Sequence, residues 1–272
     1  MSFSPILPIT GYAGWSFLKR TMDRQMTAFN AQPSVKNDEA YFREKIGSIK
    51  TAEQLVKDPR LLRVALGAFG LEGDMANKFF IKKVLEDGTL KDDALANKLS
   101  NKQYQKFADA FGFGNFDTPN TVLSDFADKI LTPYKIQQFA VAVGTQNDDM
   151  RLALNAETAL PELGGSTASS LTQWYSLLGD PPLRKVFEKA FGLPLSFGAI
   201  DLDRQVETLQ SRTMAMFGSS DLAQFKDPEK LDKLVRQFLV RSELDANASS
   251  LGSGQVALTL LQQSASWLRQ NR

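Results

Sequence analysis

One phrase occurs twice in this chain. Asp58 to Leu71, DPRLLRVALGAFGL, returns as Asp180 to Leu193, DPPLRKVFEKAFGL, with eight identities in fourteen ungapped positions. Repetition of one structural unit is therefore the first constraint on the fold. Each copy has the ends of a helix written into it. The Asp side chain can accept from first-turn N–H groups that have no partner in the helix, and Pro follows where no donor is needed. Gly near the far end can turn left-handed and close the last carbonyls, leaving the next Leu to pack back on the helix. Every repeated residue has a structural role.

Beyond Leu71 the likeness is weaker. Asp74 stands opposite Ser196 as a cap, Phe80 opposite Leu202, Lys82 opposite Arg204 and Val84 opposite Val206. After a five-residue shift, Ser100, Tyr104, Lys106, Phe107 and Phe111 meet Asp227, Leu231, Lys233, Leu234 and Phe238. Two three-helix units follow, roughly 58–112 and 180–241, the second lengthened around Phe217–Asp221.

The rest of the chain also reads as helix. Trp15, Leu18, Met22, Met26 and Phe29 recur at three- and four-residue steps across 14–30, and Asp38 to Ile46 reads as a second helix. Thr51 and Gln54 have capping-box spacing ahead of the first repeat. Thr118-Pro119 and Thr132-Pro133 each read as a helix start, and a further helix runs to about Leu160. Asp245 to Gly254 reads as loose, and Gln255 to Arg269 as a last amphipathic helix with Val256, Leu260, Leu261, Ser264, Trp267 and Leu268 in one stripe. No stretch of length alternates with period two, so the class is all-α with about ten to twelve helices. The small, polar run Gly164–Ser170 is the expected linker between residues 1–163 and 171–272, or a bend within one continuous domain.

Absences narrow the chemistry. With no Cys and no His, thiolate and imidazole metal sites, cysteine nucleophiles and Ser-His-Asp catalysis are excluded. A carboxylate-only Mg²⁺ or Ca²⁺ site is not. Net charge is +1, so the whole chain exerts no long-range pull on nucleic acid or anionic lipid. No run is long and apolar enough to span a membrane, and the N-terminus lacks a basic segment and a cleavage signal, so a soluble chain without a cleaved signal is expected; compartment stays undetermined.

The motifs that resemble chemistry have structural explanations. Gly67, Gly70 and Gly73 close a helix and follow no strand, unlike a phosphate cradle. Asp92-Asp93, Asp148-Asp149 and Asp201 with Asp203 suit helix starts and ion pairs. Around Lys78–Lys83, helical position puts Phe79, Phe80 and Val84 inward and Lys78 and Lys82 outward, a solvated face and not a stacking platform. Catalytic, cofactor and metal residues are therefore expected to be none. The candidate partner-binding residues are those of the terminal stripes: Trp15, Leu18, Met22, Met26 and Phe29 at one end, Leu260, Leu261, Trp267 and Leu268 at the other, offered to a protein partner or a second copy unless they simply dock on the core.

Tyr41–Gly47, Leu55–Leu71, Asn77–Gly88, Asp149–Asn155 and the second Ala-Phe-Gly-Leu ending at Leu193 resemble an alphaproteobacterial family of unknown function whose genes often neighbour flagellar genes. The likeness spans about Glu39 to Ser242. It implies a helical protein tied to flagellar assembly or motility, and it supplies no catalytic residues. A non-enzymatic scaffold or assembly factor acting on flagellar components is the leading expectation. A carboxylate-dependent hydrolase of cell-wall glycan, which needs facing carboxyl groups in a cleft, is one alternative. A peptide-binding adaptor, with a groove near Phe69 and Phe191 that needs those rings partly exposed, is the other; the rings are expected to be buried.

Overall fold

A computed structural model describes residues 3–250, with side chains to Ala246; the last amphipathic stripe lies outside the described residues. Among those described there is no strand, and the helices are α1 (Gly11–Asn30), α2 (Pro33–Lys45), α3 (Ala52–Lys57), α4 (Pro59–Ala68), α5 (Lys78–Asp87), α6 (Leu95–Lys98), α7 (Gln103–Phe111), α8 (Phe126–Gly144), α9 (Asp148–Gly165), α10 (Ser170–Leu178), α11 (Pro181–Ala190), α12 (Leu202–Phe217) and α13 (Pro228–Ser250). The chain is all-α.

The repeated phrase forms α4 and α11 with its caps as written. Asp58 accepts from the N–H groups of Arg60 and Leu61 at 2.9 and 3.0 Å, and Asp180 from that of Leu183 at 3.0 Å. Gly70 and Gly192 are left-handed, φ +67° and +62°. In each copy the N–H of the next Leu reaches back to the carbonyl five residues earlier, Leu71 to Leu66 and Leu193 to Glu188. In chain order the helices that follow also correspond, α5 and α7 after α4, α12 and α13 after α11. The Asp74–Ser196 cap does not form. Asp74 ends a 3₁₀ turn and accepts from Tyr104, while Asp201 caps α12.

Two apolar cores result. One gathers Phe42, Leu55, α4, α5, Phe107, Phe111 and the first half of α8 to Tyr134. The other gathers Trp15, Leu18, Phe29, the second half of α8 from Phe139, α9, Trp174, α11 and Phe238 on α13. The N-terminal helix thus packs with the C-terminal repeat. Residues 164–170 lie beside the second core: Gly164 is buried against the backbone of Leu222, too close for a Cβ, and Ser169 caps α10. The missing side chain of Gly164 permits that close approach.

Pro133 starts no helix. It sits inside α8, which begins at Phe126 and crosses from one core to the other. An interior proline costs about 3 kcal/mol, and burial of Ile130, Leu131, Phe139 and Val143 on either side is large enough to offset it. The α2 helix starts early, at Pro33 and not at Asp38, and α13 stays helical through the stretch from Asp245 to Ser250 that composition made loose. Phe79 points outward at 84% exposure while Ile81, Val84 and Leu85 fill the inward face, a one-position rotation of the expected stripe.

Candidate functional site

The α8–α9 hairpin leaves a groove open between the two cores. On α8, Pro133, Ile136, Gln137 and Ala140 recur at helical spacing and share one face. On α9, Leu154, Asn155, Thr158 and Glu162 do the same. Met22 and Met26 of α1 wall one end, where the cleft is almost wholly apolar and floored by Phe139. Phe69, Gln103 and Lys106 wall the other, a cleft of about 240 Å³. Ile136 stands 38% exposed where the two halves meet. Ion pairs rim the groove, Lys19 with Glu157 and Lys106 with Glu162 at 3.0 Å. The buried Nδ2 of Asn155 has no acceptor among the described residues.

The candidate stripe of α1 divides on this surface. Trp15, Leu18 and Phe29 are 1%, 0% and 8% exposed and belong to the second core, because α1 is clamped from one side by α8 and α9 and from another by α13. Met22 and Met26 are half-buried and line the groove. Leu260, Leu261, Trp267 and Leu268 lie outside the described residues. Of the two rings tied to a peptide groove, Phe69 is half-buried and lines it, whereas Phe191 is buried against Phe187. Sequence reasoning does not single out the groove residues of α8 and α9. A signal exists in Ile136, which continues the apolar row of α8 past what one core can cover.

A second, more polar cleft of about 470 Å³ lies beside α8, under the extended segment Phe3–Pro5. Asp38 accepts there from Arg63 at 2.5 Å and from the Tyr134 hydroxyl at 2.9 Å. Burial, then the charge of Asp38 and its hydrogen bond, raise the Tyr134 phenol well above its ordinary range. Gln138 donates to Glu72 at 2.8 Å, and burial raises Glu72 above the usual carboxylate range against that bond. The polar cleft brings Asp38 to its wall, a cleft beside α1 brings Asp232, and the groove brings Glu157 and Glu162, both from α9. Two of the acidic pairs are taken up elsewhere, Asp148 by Arg151 and Lys185, Asp149 by Lys189, Asp203 by Tyr175 and Asp201 as a cap, while Asp92 and Asp93 lie exposed in a turn. Among the described residues no three Asp or Glu gather as a cation would require, and no helix is long and apolar enough to cross a membrane.

Residues 68–231 match the model of a family described as a protein of unknown function, DUF1217. The chain belongs to the DUF1217 family. Among solved structures, the crystal structure of protein AGR_C_984 from Agrobacterium tumefaciens is similar to this DUF1217 chain, with 27% identity and a TM-score of 0.73, covering 89% of this chain and 99% of that one. No curated protein matches. The span that matches DUF1217 contains both groove walls on α8 and α9 but not α1, so Met22 and Met26 stand outside it.

Proposed function

We propose that this protein is a non-enzymatic helical scaffold or assembly factor that acts through protein–protein contacts, with the α8–α9 groove as its contact surface and flagellum biogenesis or motility as its setting. The groove carries the proposal. It is a trough between two cores, apolar at the end walled by methionines that repack around varied side chains, and rimmed by ion pairs that set register. The carboxylates on the cleft walls favour the same reading: Asp38 is engaged by Arg63 and Tyr134, Glu157 by Lys19, Glu162 by Lys106 and Asp232 by Tyr12, whereas glycan hydrolysis needs two carboxyl groups facing each other across a cleft. The flagellar setting rests on the family resemblance alone.

A motility assay tests it. A strain lacking the gene is expected to swim poorly and to be rescued by the wild-type chain but not by Ile136→Glu, which charges the groove at an exposed position and leaves circular dichroism unchanged. Full rescue by that folded variant would remove the groove from the function. Half-burial of Phe69 also favours a peptide-binding adaptor, and the groove is where such a peptide would lie.

A further inference from the structure

We infer that the groove receives the apolar stripe of residues 255–269 from a second copy of this chain, giving head-to-tail self-association. The inference rests on the groove being a contact surface. The trough over Met22, Met26, Ile136 and Leu154 stands open among the described residues, and the sequence supplies an apolar row of helical spacing in Val256, Leu260, Leu261, Trp267 and Leu268. Their polar features match. Ser264 is the one hydroxyl in that row, and Asn155 is the groove amide whose buried nitrogen lacks an acceptor. Residues 246–272 contain no Asp or Glu, so no side chain there opposes Glu157 and Glu162 on α9, and Arg269 and Arg272 can pair with Glu162, which is 65% exposed.

Geometry selects a second copy. The α13 helix runs antiparallel to α1: Asp232 accepts from Tyr12, Arg236 lies over the Tyr12 ring, and further along Glu243 accepts from Thr10, ahead of α1. Ser250 therefore lies about 10 Å beyond the start of α1, and Met22 about 16 Å from that start in the opposite direction, at 1.5 Å per residue. Residues 251–254 reach at most about 14 Å when extended. If the stripe doubled back as a helix with the linker at full stretch, it would bring at most its last two turns beside Met22 and Met26, and Val256, Leu260 and Leu261 would fall short of its own groove. The groove of another molecule has no such limit. A contact between unlike surfaces repeats from copy to copy, into a ring or an open chain.

The test uses two full-length variants in analytical ultracentrifugation: a groove variant, Ile136→Glu, and a tail variant, Leu260→Glu with Trp267→Glu. Wild type is expected to form concentration-dependent oligomers. Each variant alone should lose them, and an equimolar mixture should give one-to-one pairs, because the groove variant keeps a tail and the tail variant keeps a groove. A monomeric wild type, a mixture that stays monomeric, or a tail variant that oligomerises like wild type overturns the inference. If the mixture stays monomeric while Ile136→Glu still fails to restore motility, the groove serves a different protein, and only the self-association falls.

Discussion

Asp58 and Asp180 hold the same position in the two repeats and have opposite electrostatic surroundings. Burial pushes the Asp58 carboxyl up, but the Tyr41 hydroxyl, the Leu61 and Arg60 N–H groups and the Arg60 guanidinium outweigh it and hold it below the usual range. At Asp180, 8% exposed, burial prevails over Leu183 N–H and Gln103 and raises the carboxyl. The depressed Asp58 contributes stability above the unfolded pKa, and that stability is lost as pH falls through the folded value. The raised Asp180 does the reverse: the folded chain holds its proton more tightly, so stability declines as pH rises through its folded pKa. Asn retains a cap acceptor without the charge. Asp58→Asn is expected to cost about 1 kcal/mol near neutrality, whereas Asp180→Asn is neutral or stabilising there and loses that advantage in acid. Urea unfolding at the two pH values measures both; equal effects would contradict the contrast.

Every tyrosine donates its hydroxyl to an aspartate: Tyr12 to Asp232, Tyr41 to Asp58, Tyr104 to Asp74, Tyr134 to Asp38 and Tyr175 to Asp203. An adjacent carboxylate opposes phenolate, and all five are raised, Tyr104 to about 12 through burial and then its bond to Asp74. Ultraviolet titration should show no ordinary tyrosine ionising near pH 10 in the folded chain. The pairs stabilise the fold below the unfolded phenol pKa, and that contribution disappears as pH rises through the raised values. A full-amplitude phenolate transition near the ordinary value without unfolding would show the pairs are not maintained in solution.

Gly70→Ala and Gly192→Ala should each destabilise by about 1 kcal/mol, since both place a Cβ at positive φ. The second should cost more. A Cβ at Gly70 meets open space, while one at Gly192 collides with the Arg241 guanidinium, which must move. Denaturant midpoints rank the two, and a neutral Gly70→Ala would remove the left-handed stop.

Because α8 contributes Tyr134 to one core and Phe139 to the other, the two should unfold together. Phe187→Ala, which leaves a hole beside Trp174 and Phe225, should cost about 3–5 kcal/mol and shift a single transition. Two separated transitions by circular dichroism would make the cores independent.

Local chemistry is legible in the sequence wherever a residue acts within one helical turn of its own position. The Asp-Pro starts and Gly-Leu ends of α4 and α11 follow from backbone donors and acceptors close at hand, and so does the all-α class. Pro133 misleads because its cost is local and its compensation is not: burial on both sides of α8 comes from residues far away in the chain. Phe79 misleads because periodicity gives a stripe's spacing but not its rotation about the helix axis, which neighbours fix. Met22 and Met26 are candidates by spacing, yet nothing in that spacing separates them from Trp15, Leu18 and Phe29, which α8, α9 and α13 cover. The sequence by itself determined that helices form, where the two repeated ones begin and end, and that one unit occurs twice. Only the tertiary structure decided which apolar residues stay open to another molecule, because exposure depends on what packs against a face, and those contacts join residues distant in the chain.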